Sequence, residues 1–319
     1  MGLFAEIRRA AARVAERAHS VHIDDERLES LASELASQAL EPGVLDPEHH
    51  HLGRAEETLA YVVTLGALNF GSGWFPQMNK RPGCSGYFTM AMGLKERFEE
   101  CGAWSAAEIR AVDARECAEV FGQDLSVLEM SELMGHFAEA LRQLGTLLEE
   151  KYDGRYEALV AAAGESAEKL VHLLGEMPYY RDVSQYAGEA VPLYKRAQLT
   201  ASDLSLAFGG EGPGRFGDLD QLTIFADNLV PHVLRREGVL RYAPDLAQRI
   251  DREEPLLAGS TEEVEIRAVG LHAVERMVAS IRSGGGWASA GRLDHLLWNR
   301  GQRPDMKAHP RHRARSVYY

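Results

Sequence analysis

The chain has 319 residues, 45% of them hydrophobic, and a formal net charge of −13. That is enough apolar material for one large packed domain or two fused subdomains. The acidic balance argues against a broad electrostatic grip on a nucleic-acid polymer, which usually needs a basic face.

The N-terminus, MGLFAEIRRAAARVAERAHS, is amphipathic and rich in Ala and Arg. It lacks the continuous apolar stretch of a secretory signal. No run approaches the roughly 18 apolar residues that span a bilayer, so a cytoplasmic protein with no membrane contact is expected. The three cysteines, Cys84, Cys101 and Cys117, form no CxxC and fit free thiols in a reducing compartment.

The first predicted helices cover 25–40, 56–70 and 85–100. EPGVLDP (41–47) is a loop. His49, His50 and His51 follow, but adjacent histidines cannot all face one ion, and no second ligand pair stands at metal spacing. An exposed loop is expected there. GSGWFPQMNKRPGCSG (71–86) is a long Gly/Pro-rich connection carrying Trp74 and Phe75, either as pocket walls or as core. Leu133, Phe137, Leu141, Leu144 and Leu148 recur at helical spacing and draw one apolar stripe.

A further helix is predicted over 155–175, and a coarse domain split near 150–180 is conceivable, although no linker composition marks it. VPLYKRAQL (191–199) sets Lys195 and Arg196 in an apolar frame. They read as a snorkelling rim or as an anion-binding pair. GGEGPGRFGD (209–218) lacks the Lys-Ser/Thr end of a P-loop, and no strand precedes it, so it reads as a turn.

The run DLDQLTIFADNLVPH (218–232) mixes Asp218, Asp220 and Asp227 with Leu222, Ile224, Phe225 and Leu229. It is read as part of a helix over 218–237. On an unbroken helix positions 225 and 227 point about 200° apart. Phe225 and Asp227 then reach one ligand only if the helix ends near them, and Pro231 suggests such an end. Otherwise Phe225 offers backbone rather than ring contacts. Leu271, Val274, Val278 and Ile281 mark another helix. RSGGGW (282–287) separates it from a last one over 287–300, where Asp294 and Trp298 share a face. The tail PRHRARSVYY is compatible with a free basic terminus or with docked tyrosines.

The pattern predicts an all-α fold with at most one short hairpin. No GxSxG elbow is present.

Several segments together resemble the queuosine salvage proteins, the queuosine 5′-phosphate N-glycosylases (hydrolases). They are LNFGSGW (68–74), GYFTMAM (86–92), MPYYRDV (177–183), LYKRAQ (193–198), FGDLDQLTIFAD (216–227), EVEIRA (263–268), LDHLLW (293–298) and RARSVYY (313–319). They run in family order over nearly the whole chain. The resemblance implies a single all-helical domain distantly similar to helical DNA glycosylases. It implies hydrolysis of the N-glycosidic bond of queuosine 5′-monophosphate, releasing queuine, a 7-deazaguanine base with a cyclopentenediol arm, and ribose 5-phosphate for tRNA modification. Neither a metal nor a redox cofactor is implied. The partner is a small-molecule substrate rather than polymeric nucleic acid. Oligomeric state is not implied.

That chemistry asks for particular residues. Stretching a ribosyl C–N bond builds positive charge on the sugar, and a carboxylate stabilises it or activates water. A guanine-like edge wants an acidic acceptor. Flat rings add stacking of about 1–3 kcal/mol per base, and a cation suits the phosphate. Asp294, beside Trp298, is assigned to the ribose as catalyst. Asp227, with Phe225, is assigned to the base, and the reverse assignment stays open. Lys195 is assigned to the phosphate or to a structural pair with a carboxylate. Asp218 is an N-cap or a contact for the cyclopentenediol. The family's early VH segment makes His22 a base-pocket candidate. The rival readings are a glycosylase acting on DNA or tRNA and a non-catalytic binder of queuine.

Overall fold

The computed structural model describes residues 2–38, 43 and 45–319. The chain is 60% helix and 5% strand. In chain order it forms α1 (Leu3–Arg17), β1 (Val21–Ile23), α2 (Asp25–Ala36), α3 (Ala55–Leu68), α4 (Gly86–Cys101), α5 (Ala106–Ala111), α6 (Ala114–Phe121) and α7 (Leu128–Lys151). Next come α8 (Tyr156–Ala162), α9 (Ala167–Leu174), β2 (Val183–Tyr186), β3 (Glu189–Pro192), α10 (Lys195–Ala207), α11 (Leu229–Arg236) and β4 (Leu240–Tyr242). The chain closes with α12 (Pro244–Asp251), α13 (Thr261–Ser283), α14 (Ala290–Gly301) and α15 (Pro304–Lys307). The expected all-α architecture thus carries two small antiparallel sheets, β1 with β4 and the hairpin β2–β3. Residues 39–40 of the first predicted helix and 41, 42 and 44 of the predicted loop lie outside the described residues.

The chain folds as two compact units: Met1–Gly43, Asp182–Lys195 and Asp220–Arg315 form one, and Val44–Arg181, Arg196–Leu219 and Ser316–Tyr319 the other. Neither is a continuous stretch of sequence, which explains why no linker composition marked a boundary. In the first unit α13 is the central helix. Its residues from Glu263 to Leu271 are all buried, and α1, α2, β1, α11 and α14 pack against it. In the second unit α3 has that place, buried from Thr58 to Leu68, with α4, α7 and α8 around it. The stripe read in α7 is buried at every position from Leu133 to Leu148 that the spacing selected.

Two predicted helices are broken. The 155–175 segment divides into α8 and α9 across a turn with Gly164 and Glu165 at positive φ, 58° and 63°. The 218–237 segment keeps α11 and a single 3-10 turn at Leu219–Gln221. Among the described residues, no helix is long and apolar enough to cross a membrane.

Candidate active site

Residues 222–226 are buried yet belong to no helix or strand. Buried irregular backbone must find partners for its N–H and C=O groups elsewhere. Side chains from distant parts of the sequence supply them. Arg8 of α1 donates to the Gln221 and Leu222 carbonyls at 2.7 and 3.4 Å, and its Nε pairs with Glu275 at 2.8 Å. The Phe225 N–H donates to Asp294 Oδ1 at 2.8 Å. Arg267 Nε donates to the Ala226 carbonyl at 2.8 Å. Asp227 Oδ1 accepts from the Leu229 and Val230 N–H groups at 2.7 and 3.2 Å and so caps α11.

The expected helix is therefore replaced by a pinned segment followed by a helix start. Pro231 stands in the first turn of α11, where its missing N–H leaves no bond unmade. It marks a beginning, not the end that the sequence suggested. The conflict of direction between Phe225 and Asp227 disappears with the helix.

Asp294 is carried by α14, which anchors itself through fully buried Leu293 and Leu297. A charged residue beside a half-buried tryptophan is ordinarily solvated. Here Asp294 is only 5% exposed, with Trp298 half-buried one turn later. Burying a carboxylate is costly unless donors meet it, and the Phe225 N–H meets one oxygen. Asp227 is half-buried. Its Oδ1 serves the helix cap, while Oδ2 accepts no hydrogen bond among the described residues. The half-buried Arg311 stands within electrostatic reach of it.

Lys195 is buried at the first position of α10. Its N–H donates to Asp182 Oδ2 at 3.1 Å. The pairing of Lys195 with Arg196 as one anion site does not form, because the Arg196 guanidinium is engaged in the other unit. It donates to the Ala67 carbonyl at 2.5 Å and to the Tyr179 carbonyl, and lies 4.7 and 4.6 Å over the rings of Phe70 and Tyr180.

Asp218 caps a helix, but not its own segment. The turn at Gly209, Gly210 and Gly212, all at positive φ, returns the chain to the start of α9. There Asp218 Oδ1 accepts from Ala167 N at 2.6 Å, and Oδ2 accepts from Ser166 Oγ at 2.8 Å and Glu168 N at 3.1 Å. Both oxygens thus serve the start of α9, the capping half of the expectation, and a contact with the cyclopentenediol would add to these bonds. His22 lies on β1, where alternation buries Val21 and exposes His22 opposite Arg241. Trp74 is core, donating to Glu132 at 2.9 Å, while Phe75 is half-buried. The terminal tyrosine is docked: Tyr319 is 2% exposed and its carbonyl accepts from Gly71 N–H at 3.1 Å.

The histidine run is not the exposed loop expected of it. His50 is buried between the Asp46 carbonyl and the Tyr87 hydroxyl, at 2.9 Å from each. Asp46, Glu48 and His49 bring ligand atoms within 4.8 Å of one another on the surface. The Asp46 carboxylate there already accepts from Glu48 N and pairs with His49.

Two buried histidines flank the capped loop. His232 of α11 donates from Nε2 to the Met306 carbonyl at 3.0 Å, and Asn228 Nδ2 donates to the His312 carbonyl at 3.2 Å. Burial, with the charges of Arg311, Arg235 and Arg236, pulls His232 down to about 4. Burial, with Arg267, Arg311 and Arg235, pulls His312 down to about 3. Below the ordinary value of about 6.5 the unfolded chain takes up protons that the folded chain refuses. Stability is therefore complete above that pH and falls as pH drops toward the folded values. Each histidine contributes up to about 1.4 kcal/mol per pH unit. Thermal melts between about pH 7 and pH 5, clear of ordinary carboxylate titration, should show the melting temperature falling. His232→Gln, which keeps a donor for Met306, should flatten that slope. An unchanged slope in both His232→Gln and His312→Gln would contradict the assignment.

Sequence reasoning missed Arg267 and Asp182. Both lie inside segments singled out above, EVEIRA and MPYYRDV, but nothing in spacing ties two residues so far apart. Arg311 was noticed only as tail charge.

The family model for queuosine salvage proteins matches residues 49–319. The chain is similar to a queuosine 5′-phosphate N-glycosylase/hydrolase of Sphaerobacter thermophilus, 38% identical over 315 residues covering 96% of this chain and 95% of that one. Proteins of the same name are 33% identical in Dictyostelium discoideum, over 86% of this chain and 82% of that one, and 30% identical in Mus musculus, over 98% of each. With a match over most of its length and relatives along nearly all of it, the chain belongs to the queuosine salvage protein family.

Proposed function

We propose that this protein hydrolyses the N-glycosidic bond of queuosine 5′-phosphate, releasing queuine. The observation that carries this reading is the link between two carboxylates through one short segment. Asp294 is buried and holds the Phe225 N–H, and Asp227, two residues on, keeps Oδ2 without a hydrogen bond among the described residues. As the C–N bond stretches, its electron pair leaves with the base and positive charge grows on the ribose. A buried carboxylate stabilises that charge more strongly than one in water. Asp294 takes this role and orients the water whose oxygen bonds to the sugar carbon. The water's proton balances the departing base nitrogen. Asp227 Oδ2 accepts from the donor edge of the base, and Phe225 and Trp298 bound the pocket. Lys195 faces the phosphate. His22, exposed on β1, is retained as a contact for the base.

The net charge of −13 favours a small substrate over a polymer. A cytoplasmic setting and a single working domain belong to the same reading, as does distant kinship to helical DNA glycosylases. The test is incubation with queuosine 5′-phosphate and chromatography for free queuine and ribose 5-phosphate. Queuine that binds without ever being released from the nucleotide would make the protein a binder instead. A steep loss of turnover with added salt would point to a polymer.

A further inference from the structure

A buried ion pair of the first unit bonds to the backbone on either side of the candidate residues. Arg267 and Asp182 are each 1% exposed. They meet as a fork, Nη1 to Oδ1 at 3.1 Å and Nη2 to Oδ2 at 2.6 Å, with Glu263 3.7 Å from the same guanidinium. Such a pair is weak evidence for stability, because apolar residues can replace it at little loss. Its connections suggest another role. Nε of the same guanidinium holds the Ala226 carbonyl, between Phe225 and Asp227. The Asp182 carboxylate holds the N–H of Lys195.

The turn before Lys195 is strained. Tyr194 has φ of 48°, a left-handed conformation unfavourable for a bulky residue. Strain of this kind persists only where the surroundings over-determine it. Here the Asp182 carbonyl accepts from both Leu193 N at 2.9 Å and Tyr194 N at 3.2 Å, so Asp182 closes the turn from its backbone and its side chain together.

We propose that the Arg267–Asp182 pair is the positioning element of this site, one rigid fork that sets the Asp227 loop and the Lys195 turn in register. The inference rests on the proposed function, since it assigns the pair to the residues read there as base and phosphate contacts. Arginine is needed because its planar fork engages three acceptors at fixed angles. Lysine offers a single point charge on a flexible stem.

The test is a double-mutant cycle with Arg267→Lys and Asp227→Asn, following kcat/KM for queuosine 5′-phosphate and queuine affinity by calorimetry. Folded Arg267→Lys should lose about 10²-fold in kcat/KM, the scale produced by a displacement of order 1 Å. Its loss of queuine affinity should be largely absent in the Asp227→Asn background, because both changes act through one loop. Wild-type kcat/KM in Arg267→Lys, or full additivity with Asp227→Asn, overturns the proposal. If Arg267→Lys fails to fold, Asp182→Leu combined with Arg267→Met and Glu263→Gln removes the three charges of the cluster together. That triple variant should fold and show the same losses, and wild-type behaviour in it overturns the proposal equally. A wild-type protein that releases no queuine would sink the proposed function, while the queuine-affinity cycle would still decide the positioning role.

Discussion

Replacing Asp294 by asparagine is expected to lower kcat for queuine release about 10³-fold, the scale of losing one preorganised charge-stabilising or base group. The effect should fall on kcat, with KM little changed, because in the proposed role the charge that Asp294 answers exists only in the transition state. Asparagine keeps the shape and an oxygen that can still accept from the Phe225 N–H, 2.8 Å away in the native pair. The α14 helix and the 222–226 segment should therefore hold together, and the melting temperature should stay near that of wild type. Single-turnover release of queuine measured beside thermal melts separates the two effects. Near-normal release by a folded Asp294→Asn protein would remove Asp294 as the catalyst.

The second large effect is expected at Asp227, and two substitutions divide its two duties. Asp227→Asn retains an oxygen for the Leu229 and Val230 N–H groups but replaces Oδ2 by a donor, which in the proposed site opposes the donor edge of the base. Queuine affinity should fall about 10²-fold, the scale of losing one charge-assisted hydrogen bond, while stability changes little. Asp227→Ala should lose affinity similarly and also about 1 kcal/mol of stability with the helix cap. Calorimetric queuine binding and denaturant melts read the two quantities independently. Undiminished affinity in both variants would end the base-reading role. A kcat defect at Asp227 joined to a binding defect at Asp294 would exchange the two assignments.

The legibility of this chain varied with how local the deciding interactions are. The α7 stripe was readable because a helix that buries one face repeats its apolar residues at helical spacing, and Leu133 to Leu148 do so. The 218–237 segment misled for the opposite reason. Its apolar residues are buried without periodic structure, and their backbone groups are satisfied by Arg8, Asp294 and Arg267, which no local pattern announces. Asp218 was legible as a cap but not as the cap of α9, because the helix it serves begins 51 positions earlier.

By itself, then, the sequence determined the helical class, the acidic surface charge that disfavours a polymer, the family resemblance and the short list holding Asp294 and Asp227. Composition and periodicity are properties of the chain, and they survive any arrangement of its parts. Only the tertiary structure decided that Asp294 is buried, that Asp227 Oδ1 caps α11 while Oδ2 accepts no hydrogen bond among the described residues, and that the Arg196 guanidinium donates to carbonyls. The physical reason is that burial and hydrogen-bond satisfaction depend on which distant residues arrive. The fork from Arg267 to Asp182 spans 85 positions, and no spacing rule reaches that far.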